Sequence, residues 1–502
     1  MSRPAAFGRL LAAAWALLRA DALIPRELDP VLPPSVRTGA RLLRLFNGPQ
    51  AKAGRPGERL ARVLERLGPV AIKLGQVLST RADIFGTVFA DDLSHLKDSL
   101  APFPTEVARA VVAAELDRPV DSLFISFGAP IAAASIAQAH PAVLADGRKV
   151  AVKVLRPGIE RRVAHDVEAL RLAGRLASLA GPEARRLEPQ ALTETVARSL
   201  LLELDLRLEA AGASELGEIM AEDGFMTAPK VLWEGVGKRV LTLDWAKGMA
   251  LTDPASLDQP GMNRKALADN LIRAFLAQAM DHGVFHADLH EGNLFVAAPD
   301  RVEAVDFGII GRLDPVARRH LAEILWGFLQ RDYRRVARAH FDAGYVPRTH
   351  SVALFAQALR AVGEPNVGQA AATVSMGKLL GQLFEITALF DMRLRPELVL
   401  LQKTMVTVEG VARGIDPGHN LWASAEPVVR RWIMRELSPA ARAQDLAQEA
   451  LRALRALARL ADPPAPTPPA ARNWPGRLLW FALGAGGAAA AAAAAVVAHG
   501  VG

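Results

Sequence analysis

Three short segments, each with a charged residue at a defined position, constrain the fold of this chain more than any other feature. The first is VAVKV at residues 150–154, a Val-rich strand pattern that carries one Lys. The second is FHADLHEGN at 285–293, and the third is VDFGIIG at 305–311. A strand Lys, an Asp followed five residues later by an Asn, and an Asp-Phe-Gly turn are together typical of protein-kinase nucleotide sites.

The roles of these residues follow from what phosphoryl transfer requires. The chemistry needs charge neutralisation, metal ions held by oxygen ligands, and an oriented acceptor. We expect Lys153 to bind nucleotide phosphates and Asp288 to be the catalytic acid/base or positioning residue. We expect Asn293 and Asp306 to bind the metal. The predicted cofactors are therefore ATP or ADP with Mg²⁺.

Two histidines in the second segment allow two interpretations. His286 and His290 form an H-x-D-x-H pattern with Asp288, which could bind a metal. In a kinase-type loop the first His more often braces the backbone, and the sequence favours that structural role.

The segment before Lys153 lacks the glycines that usually approach nucleotide phosphates. The place of a G-x-G-x-x-G loop is held by seven residues, which we predict to line the nucleotide: Ala132, Ala133, Ala134, Ser135, Ile136, Ala137 and Gln138. Methyl groups hinder close backbone approach, so nucleotide should bind here with an altered phosphate pose. An A-P-E segment is also absent, so no ordinary platform for a protein substrate is indicated.

Hydrophobic periodicity predicts an α+β fold with two lobes. Strand patterns dominate residues 123–155, helical and highly charged patterns run over 160–220, and strand patterns return at 229–245. Beyond Asn263, which is a predicted helix N-cap, the pattern is helical and is interrupted around 284–310. This order indicates a small β-rich N-lobe followed by a large helical C-lobe.

A polar stripe marks a helix upstream of the first strand. The helix begins at Val70 after a Gly-Pro break and carries Lys73, Gln76 and Thr80 on one face, while Gly75 permits a close backbone approach. We interpret this stripe as a buried contact.

Hydrophobic segments lie near both ends of the chain. The run Leu10–Leu18 is too short to span a bilayer and predicts an amphipathic or packing helix, with Trp15 facing a partner or lipid. The Pro-rich linker 461–477 precedes an uncharged, Ala-rich segment, 478–498. As a helix that segment would reach about 32 Å, against roughly 30 Å of hydrocarbon.

The Ala-rich segment is predicted to be a transmembrane helix, and a plain packing helix is the alternative. Arg472 and Arg477 predict that the catalytic domain faces the cytoplasm from the inner membrane. Gly484 and Gly487 would permit two such helices to approach closely in a homodimer.

The overall charge is compatible with an anionic membrane partner. Sixty Lys and Arg against 53 Asp and Glu give a net charge of +7. Codon bias toward Arg would produce the same excess. No nucleic-acid motif or aromatic-basic interleaving is present, so an anionic lipid surface is favoured and nucleic acid is not expected.

Taken together, the motifs resemble the UbiB family of aarF-domain atypical kinases. The resemblance rests on KxGQ at residues 73–76, the Ala-rich loop, VAVKVLRPGI, ELDLRLEA at 203–210, HADLHEGN and VDFGIIG, and it covers about residues 57 to 430. It implies ATP hydrolysis or small-molecule phosphoryl transfer that supports ubiquinone biosynthesis at membranes. Ubiquinone-biosynthesis enzymes or lipid intermediates would be the partners.

The resemblance also implies specific residue pairs. Lys153 would contact the α- and β-phosphates, with Glu209 as its ion-pair partner. Glu168, nearer in sequence, is the competing partner. Glu203 and Asp205 would form an ExD motif.

In that motif, Glu203 and Asp205 would face the regulatory residues Lys73 and Gln76. Gly75 belongs to the same KxGQ segment. In family members this extension folds over the site where a protein substrate would lie.

The implied organisation has six parts in chain order. They are N-terminal amphipathic or packing helices at 1–56, a KxGQ helical extension at 57–122, an N-lobe with a helical insertion at 123–246, a C-lobe at 247–460, the linker at 461–477 and the membrane helix at 478–498.

The sequence differs from the family pattern at two positions, and three other functions are alternatives. The family pattern leads us to expect proline at positions 289 and 291, where this chain has Leu289 and Glu291. A small-molecule kinase of the aminoglycoside or choline type shares the H-x-D-x-H-x-G-N loop but lacks KxGQ. A nucleotide-binding scaffold and a true protein kinase are the remaining alternatives.

Overall fold

The computed structural model describes most of the chain up to residue 436. The described residues are 3–23, 25–29, 34–79, 87–94, 96, 101–179, 189–364, 382, 386, 389–392 and 396–436. Residues Met1–Met434 form one compact unit, and Arg435–Gly502 form a second, of which only 435 and 436 are described. The predicted linker, the segment 478–498 and Thr80 lie outside the described residues.

A five-stranded antiparallel sheet forms the smaller lobe. Its strands are β1 (Phe124–Phe127), β2 (Ala132–Ala133), β3 (Ala137–Leu144), β4 (Lys149–Leu155) and β5 (Val240–Asp244). The order is β1-β3-β4-β5, and β2 pairs with β3. The strands alternate Val and Ala with polar residues, so one face is buried and the other can be presented to a site.

The register of the sheet positions Lys153 at its centre. Lys153 lies opposite Ala139 on β3 and Leu241 on β5. The predicted Asp-Gly turn is confirmed, because Gly147 joins β3 to β4 with a φ of +84°.

The prediction of strand over residues 229–245 is only partly right. Val231 makes one isolated bridge to Leu243, and residues Trp233–Gly235 form a 3₁₀ turn before β5 begins. Gly235 permits this turn, because a Cβ there would lie 2.5 Å from the Thr242 hydroxyl, which donates to the Gly235 carbonyl at 2.9 Å.

Helices precede the sheet and are inserted between β4 and β5. They are α1 (Arg3–Arg19), α2 (Pro34–Leu43), α3 (Pro56–Leu67), α4 (Pro69–Ser79), α5 (Thr87–Ser94), α6 (Thr105–Leu116), α7 (Ile159–Leu179), α8 (Pro189–Glu203) and α9 (Leu206–Asp223). The predicted break is confirmed: α3 ends before Gly68, whose φ is +101°, and α4 starts at Pro69.

The larger lobe is mainly helical and carries two small sheets. Its helices are α10 (Arg264–Ala277), α11 (Pro315–Leu329), α12 (Tyr333–Asp342), α13 (Val352–Gly363), α14 (Pro396–Ile415) and α15 (Leu421–Glu436). Its strands are β6 (Met249–Ala250), β7 (Val284–His286), β8 (Leu294–Ala297), β9 (Arg301–Ala304) and β10 (Ile310–Arg312). They pair as β6-β8-β9 and β10-β7.

Helix α10 forms the centre of the larger lobe. The Asn263 side chain caps its N-terminus by accepting from the Ala266 amide, as predicted. Leu267, Leu271 and Phe275 on this helix are fully buried in one continuous apolar core that also includes residues of α14 and α15.

A buried polar cluster joins α10 to α15. The Ser424 hydroxyl lies 2.6 Å from an Asp269 carboxylate oxygen and 2.9 Å from His419 Nε2. His419 Nε2 is itself 3.2 Å from the same Asp269 oxygen. Because Ser and Asp share one imidazole nitrogen and all three residues are buried, the cluster anchors helices and is not a nucleophilic triad.

Among the described residues, no helix is both long enough and apolar enough to span a membrane.

The stability of the larger lobe should depend on pH through His340. This residue is buried, its Nδ1–H donates to the Val336 carbonyl at 2.8 Å, and burial lowers its pKa to about 4. The unfolded pKa is about 6.5, so the unfolded state takes up the proton first, and this contribution to stability is present above pH 6.5 and lost as pH falls toward 4.

We expect His340→Phe to flatten that dependence. Between pH 7 and pH 4 the wild type should lose about 3 kcal/mol more unfolding free energy than the variant. Urea denaturation at each pH measures this difference. Parallel losses in both proteins would contradict the assignment.

Candidate nucleotide site

One ammonium and two carboxylates meet in the cleft between the sheet and the helical lobe. Lys153 Nζ on β4 lies 2.7 Å and 2.9 Å from the two carboxylate oxygens of Glu209 on α9. It also lies 3.1 Å from Asp306 Oδ1. The predicted partner Glu209 is confirmed, and the competitor Glu168 is exposed on α7.

The electrostatics of this group follow from its burial. Burial opposes the charge on Lys153, but the Asp306 and Glu209 carboxylates outweigh it and raise the Lys153 pKa. The Lys153 cation in turn lowers the pKa of Asp306 to about 2. Lys153 is therefore charged at neutral pH and Asp306 is ionised, as phosphate and metal binding require.

The Asp-Phe-Gly segment is held in a specific backbone conformation. Asp306 has a φ of +64°, a left-handed conformation that is uncommon for a residue other than glycine and typical of functional sites. Phe307 is buried, and its ring centroid lies 5.2 Å from that of His286.

Helix α9 packs directly on this segment. A Cβ on Gly212 would lie 2.3 Å from the Ile310 Cδ1 and 3.5 Å from the Phe307 carbonyl. Gly212 stands one turn after Glu209, so the helix whose glutamate pairs with Lys153 also packs against the Asp-Phe-Gly turn.

The loop after β7 presents Asp288 through backbone bracing. The Asp288 amide donates to His286 Nδ1 at 3.1 Å, and His286 Nε2 contacts the Val305 carbonyl at 3.2 Å. His286 is fully buried, and burial lowers its pKa, so it stays neutral. This arrangement confirms the structural role predicted for the first His.

The second His of the loop also contacts the backbone. His290 Nδ1 accepts from the Gly292 amide at 3.0 Å, and its Nε2 lies 3.6 Å from Asp288. Within the part of the chain that the structure describes, no group of three or more His, Cys, Asp or Glu could hold a metal ion.

Asn293 and Asp306 nevertheless fit a Mg²⁺ ion that also binds nucleotide phosphates. Asn293 is buried, and its Nδ2 donates to the Asp288 carbonyl at 3.0 Å, which leaves its amide oxygen as a ligand. Mg²⁺ prefers oxygen ligands and is usually held by one or two protein groups together with phosphates and water. The two residues supply such a pair.

The Ala-rich segment forms the β2–β3 hairpin of the five-stranded sheet. Ala132 pairs with Ala139, and Ala133 pairs with Gln138 across the β2–β3 turn. The exposed or half-buried members of the predicted set are Ala132, Ala133, Ala134 and Ile136.

The other predicted nucleotide-lining residues have buried side chains. Ala137 is buried in the core beneath α7, and Ser135 is buried in the turn. The Gln138 side chain is also buried and bonds to both the amide and the carbonyl of Phe103, at 2.9 Å and 3.1 Å. Only the backbone of this residue remains for a nucleotide.

The KxGQ helix is joined to the helical insertion by an ion pair. Lys73 on α4 contacts the Glu203 carboxylate at the end of α8, and both are largely buried. Asp205 does not face Lys73 as expected. It caps α9 by accepting from the Arg207 amide and pairs with the Arg207 guanidinium at 2.6 Å.

The close approach expected at Gly75 is present. A Cβ there would lie 2.3 Å from Leu96 and 2.7 Å from Leu64. Gln76 lies on the same helix and is half-buried.

One charged residue that interacts with Asp288 was not predicted from the sequence. Lys403 on α14 carries a lowered pKa, first because of burial and then because of Lys73, while Asp288 raises it. Its neighbour Thr404 donates its hydroxyl to the Ala287 carbonyl at 3.0 Å. A lone Lys in a helix more than a hundred residues after Asp288 gives no motif that could have found it.

Comparison with known proteins agrees with this geometry. Residues 95–340 match the ABC1 atypical kinase-like domain, and residues 359–420 match the UbiB helical domain. A solved complex of Rv3197 with erythromycin, from Mycobacterium tuberculosis, has a TM-score of 0.53 and 23% identity, and the match covers 78% of this chain and 98% of that one. The fold and the site define an atypical kinase-like protein.

Curated relatives place the chain more narrowly. A probable protein kinase UbiB of Marinobacter nauticus is 37% identical over 438 residues, which cover 86% of this chain and 79% of the relative. That of Azotobacter vinelandii is 37% identical over 444 residues, covering 86% and 82%. The chain belongs to the UbiB family.

A double-mutant cycle should show that Lys153 and Glu209 act as a pair. Lys153→Met and Glu209→Gln should each destabilise the protein, because the first leaves the buried Glu209 carboxylate without its cation and the second leaves the Lys153 ammonium with Asp306 alone. We expect the double variant to be more stable than the sum of the single effects by roughly 0.5–3 kcal/mol, measured by chemical denaturation.

The matched control replaces the competing glutamate. Lys153→Met and Glu168→Gln should add without coupling, because Glu168 is exposed. Coupling with Glu168 and none with Glu209 would refute the pairing.

Proposed function

We propose that this protein binds ATP with Mg²⁺ and hydrolyses it, as a membrane-associated member of its family that supports ubiquinone biosynthesis. The observation that carries the proposal is the Lys153–Glu209–Asp306 group, since a formed Lys–Glu pair beside the metal-binding Asp is what kinase-type sites need for phosphoryl transfer.

Each residue has a defined task in this proposal. Lys153 binds the α- and β-phosphates, and Glu209 holds the Lys153 ammonium in place. Asn293 and Asp306 would hold Mg²⁺, which supplies charge neutralisation on the phosphates when it is bound. Asp288 orients the attacking water, or another acceptor hydroxyl, and accepts its proton.

The Ala hairpin favours hydrolysis or small-molecule transfer over protein phosphorylation. Methyl groups at Ala132 and Ala133 stand where glycine would let the backbone approach the phosphates. The contact between Lys73 and Glu203 fixes the KxGQ helix to the helical insertion. Both features support the family expectation that the extension covers the protein-substrate position.

A role in ubiquinone biosynthesis is supported by the relatives. They are described as probable protein kinase UbiB and match over most of the chain. We propose that the chain acts at the cytoplasmic face of the inner membrane, with enzymes or lipid intermediates of that pathway as partners. The segment 478–498 would supply the anchor.

The N-terminal helices add support for membrane association. Apolar side chains from two neighbouring segments form an exposed face, which we call the N-terminal face: Phe7, Leu11, Trp15, Leu42, Leu45 and Phe46. The rings of Trp15 and Phe46 lie 6.0 Å apart and connect the two segments. Exposed apolar patches of this kind mark interaction sites.

The charge around the N-terminal face suits an anionic lipid surface. Residues 3–52 contain eight Lys and Arg against three carboxylates. Each carboxylate pairs with an arginine: Asp21 with Arg26, Glu27 with Arg59, and Asp29 with Arg44. The remaining excess is positive and would attract anionic lipid.

Phosphate release from ATP tests the enzymatic proposal. The wild type with Mg²⁺ should release phosphate, and anionic liposomes should increase the rate. Asp306→Asn should reduce release by at least about 100-fold, because the metal loses its charged ligand. Nucleotide binding without release in any condition would favour a scaffold.

Site-specific fluorescence tests the membrane proposal on the full chain. Because the chain has no cysteine, Leu45→Cys labelled with a polarity-sensitive dye carries one probe on the N-terminal face. Its emission should shift to the blue with anionic vesicles and much less with neutral ones. Leu354→Cys, at another exposed position, on α13, should not shift. Equal behaviour of both probes would contradict the proposal.

A further inference from the structure

The catalytic loop lacks a cation for the terminal phosphate. Between Asp288 and Asn293 the sequence is Leu-His-Glu-Gly, with no Lys or Arg. Lys153 is held on the other side of the site by Glu209 and Asp306. The charge that develops on the transferred phosphoryl group needs positive groups on the acceptor side as well.

Helix α14 is bonded to this loop beside Asp288. The Thr404 hydroxyl is buried and lies 3.0 Å from the carbonyl of Ala287, the residue before Asp288. The same helix approaches the loop again at Gly414, where a Cβ would lie 3.5 Å from Glu291 Oε1. These contacts hold α14, the helix that carries Lys403, against the loop that carries Asp288.

The surroundings of the Lys403 ammonium favour the binding of an anion. It is half-buried, and within the described part of the chain its ammonium has no carboxylate at ion-pair distance. Lys73 is close enough to disfavour its charge, and Asp288 is close enough to favour it. Lys73 already has the Glu203 carboxylate as its partner, so Asp288 is the one carboxylate among the described residues that favours the charge of the half-buried Lys403 ammonium.

We propose that Lys403, supplied by the helical region that follows the kinase-like domain, binds the terminal phosphate of ATP beside Asp288. This assignment rests on the proposed ATP chemistry of the cleft. It makes α14 part of the site and gives the helical region a role in the reaction. A terminal phosphate would give the Lys403 ammonium an anionic partner at ion-pair distance, and Asp288 would still face the acceptor.

The distinction between ATP and ADP tests this role on the full-length protein. Lys403→Met removes the charge and keeps the length of the side chain, so ATP affinity should fall by about 10- to 100-fold. ADP affinity should stay near its wild-type value, because ADP lacks the terminal phosphate. Lys403→Arg should keep the preference for ATP. Isothermal titration calorimetry with Mg²⁺ measures the ATP and ADP affinities of the wild type and of both variants.

The matched control is Lys230→Met, which removes an exposed lysine far along the chain from α14 and should change neither affinity. Equal losses of ATP and ADP affinity in Lys403→Met would overturn the role of Lys403 and leave the ATP proposal intact. A folded wild type that binds neither nucleotide would overturn both.

A second measurement uses the wild type and does not depend on the folding of a variant. Acetylation of lysines by an N-hydroxysuccinimide ester, followed by peptide mass spectrometry, reports the exposure of each ammonium. ATP should slow modification of Lys403 at least several-fold more than ADP does, and Lys230 should be modified equally in both. Equal protection of Lys403 by the two nucleotides would contradict a contact with the terminal phosphate.

Discussion

The ion pair between Lys153 and Glu209 is the interaction on which the site depends. It joins the central strand of the sheet to α9, two elements separated by 56 residues, and the same ammonium reaches Asp306 in the helical lobe. Three parts of the fold therefore converge on one charge. Because Glu209 is buried, the pair is costly to break and holds the geometry of the cleft.

Helices outside the kinase-like core are connected to the elements around Lys153 by two contacts. Lys73 connects α4 to the end of α8 through Glu203, directly before α9 begins. Thr404 connects α14 to the catalytic loop. The accessory helices are thus in direct contact with the kinase-like core beside the candidate site.

Local patterns in the sequence were sufficient to predict the lobes and the residues of the three motifs. Spacing placed Lys153, Asp288 and Asp306, because each belongs to a strand or turn whose backbone is determined nearby. The partner of Lys153 required the family resemblance, since no local rule connects residues 56 positions apart. The strand expected over 229–245 failed at Gly235, where a tight turn replaces extension.

Contacts between distant helices could not be read from the sequence. Thr404 contacts Ala287, which is 117 residues away in sequence, and the helical periodicity of α14 gave no sign that its lysine, Lys403, would interact with Asp288. Asp205 shows a second limit. Its position in ExD suggested a contact with the KxGQ helix, but an Asp directly before a helix satisfies the free amides of that helix first.

The packing of Gly212 against Ile310 and the Phe307 carbonyl restricts how the site can be switched off. Kinase-type sites can be inactivated either by swinging out the helix that carries the glutamate or by flipping the Asp-Phe-Gly turn. Here the two elements touch where a single methyl group would not fit. Because they pack against each other, a rotation of either element has to displace the other, so Glu209 and Asp306 would leave their positions around Lys153 together.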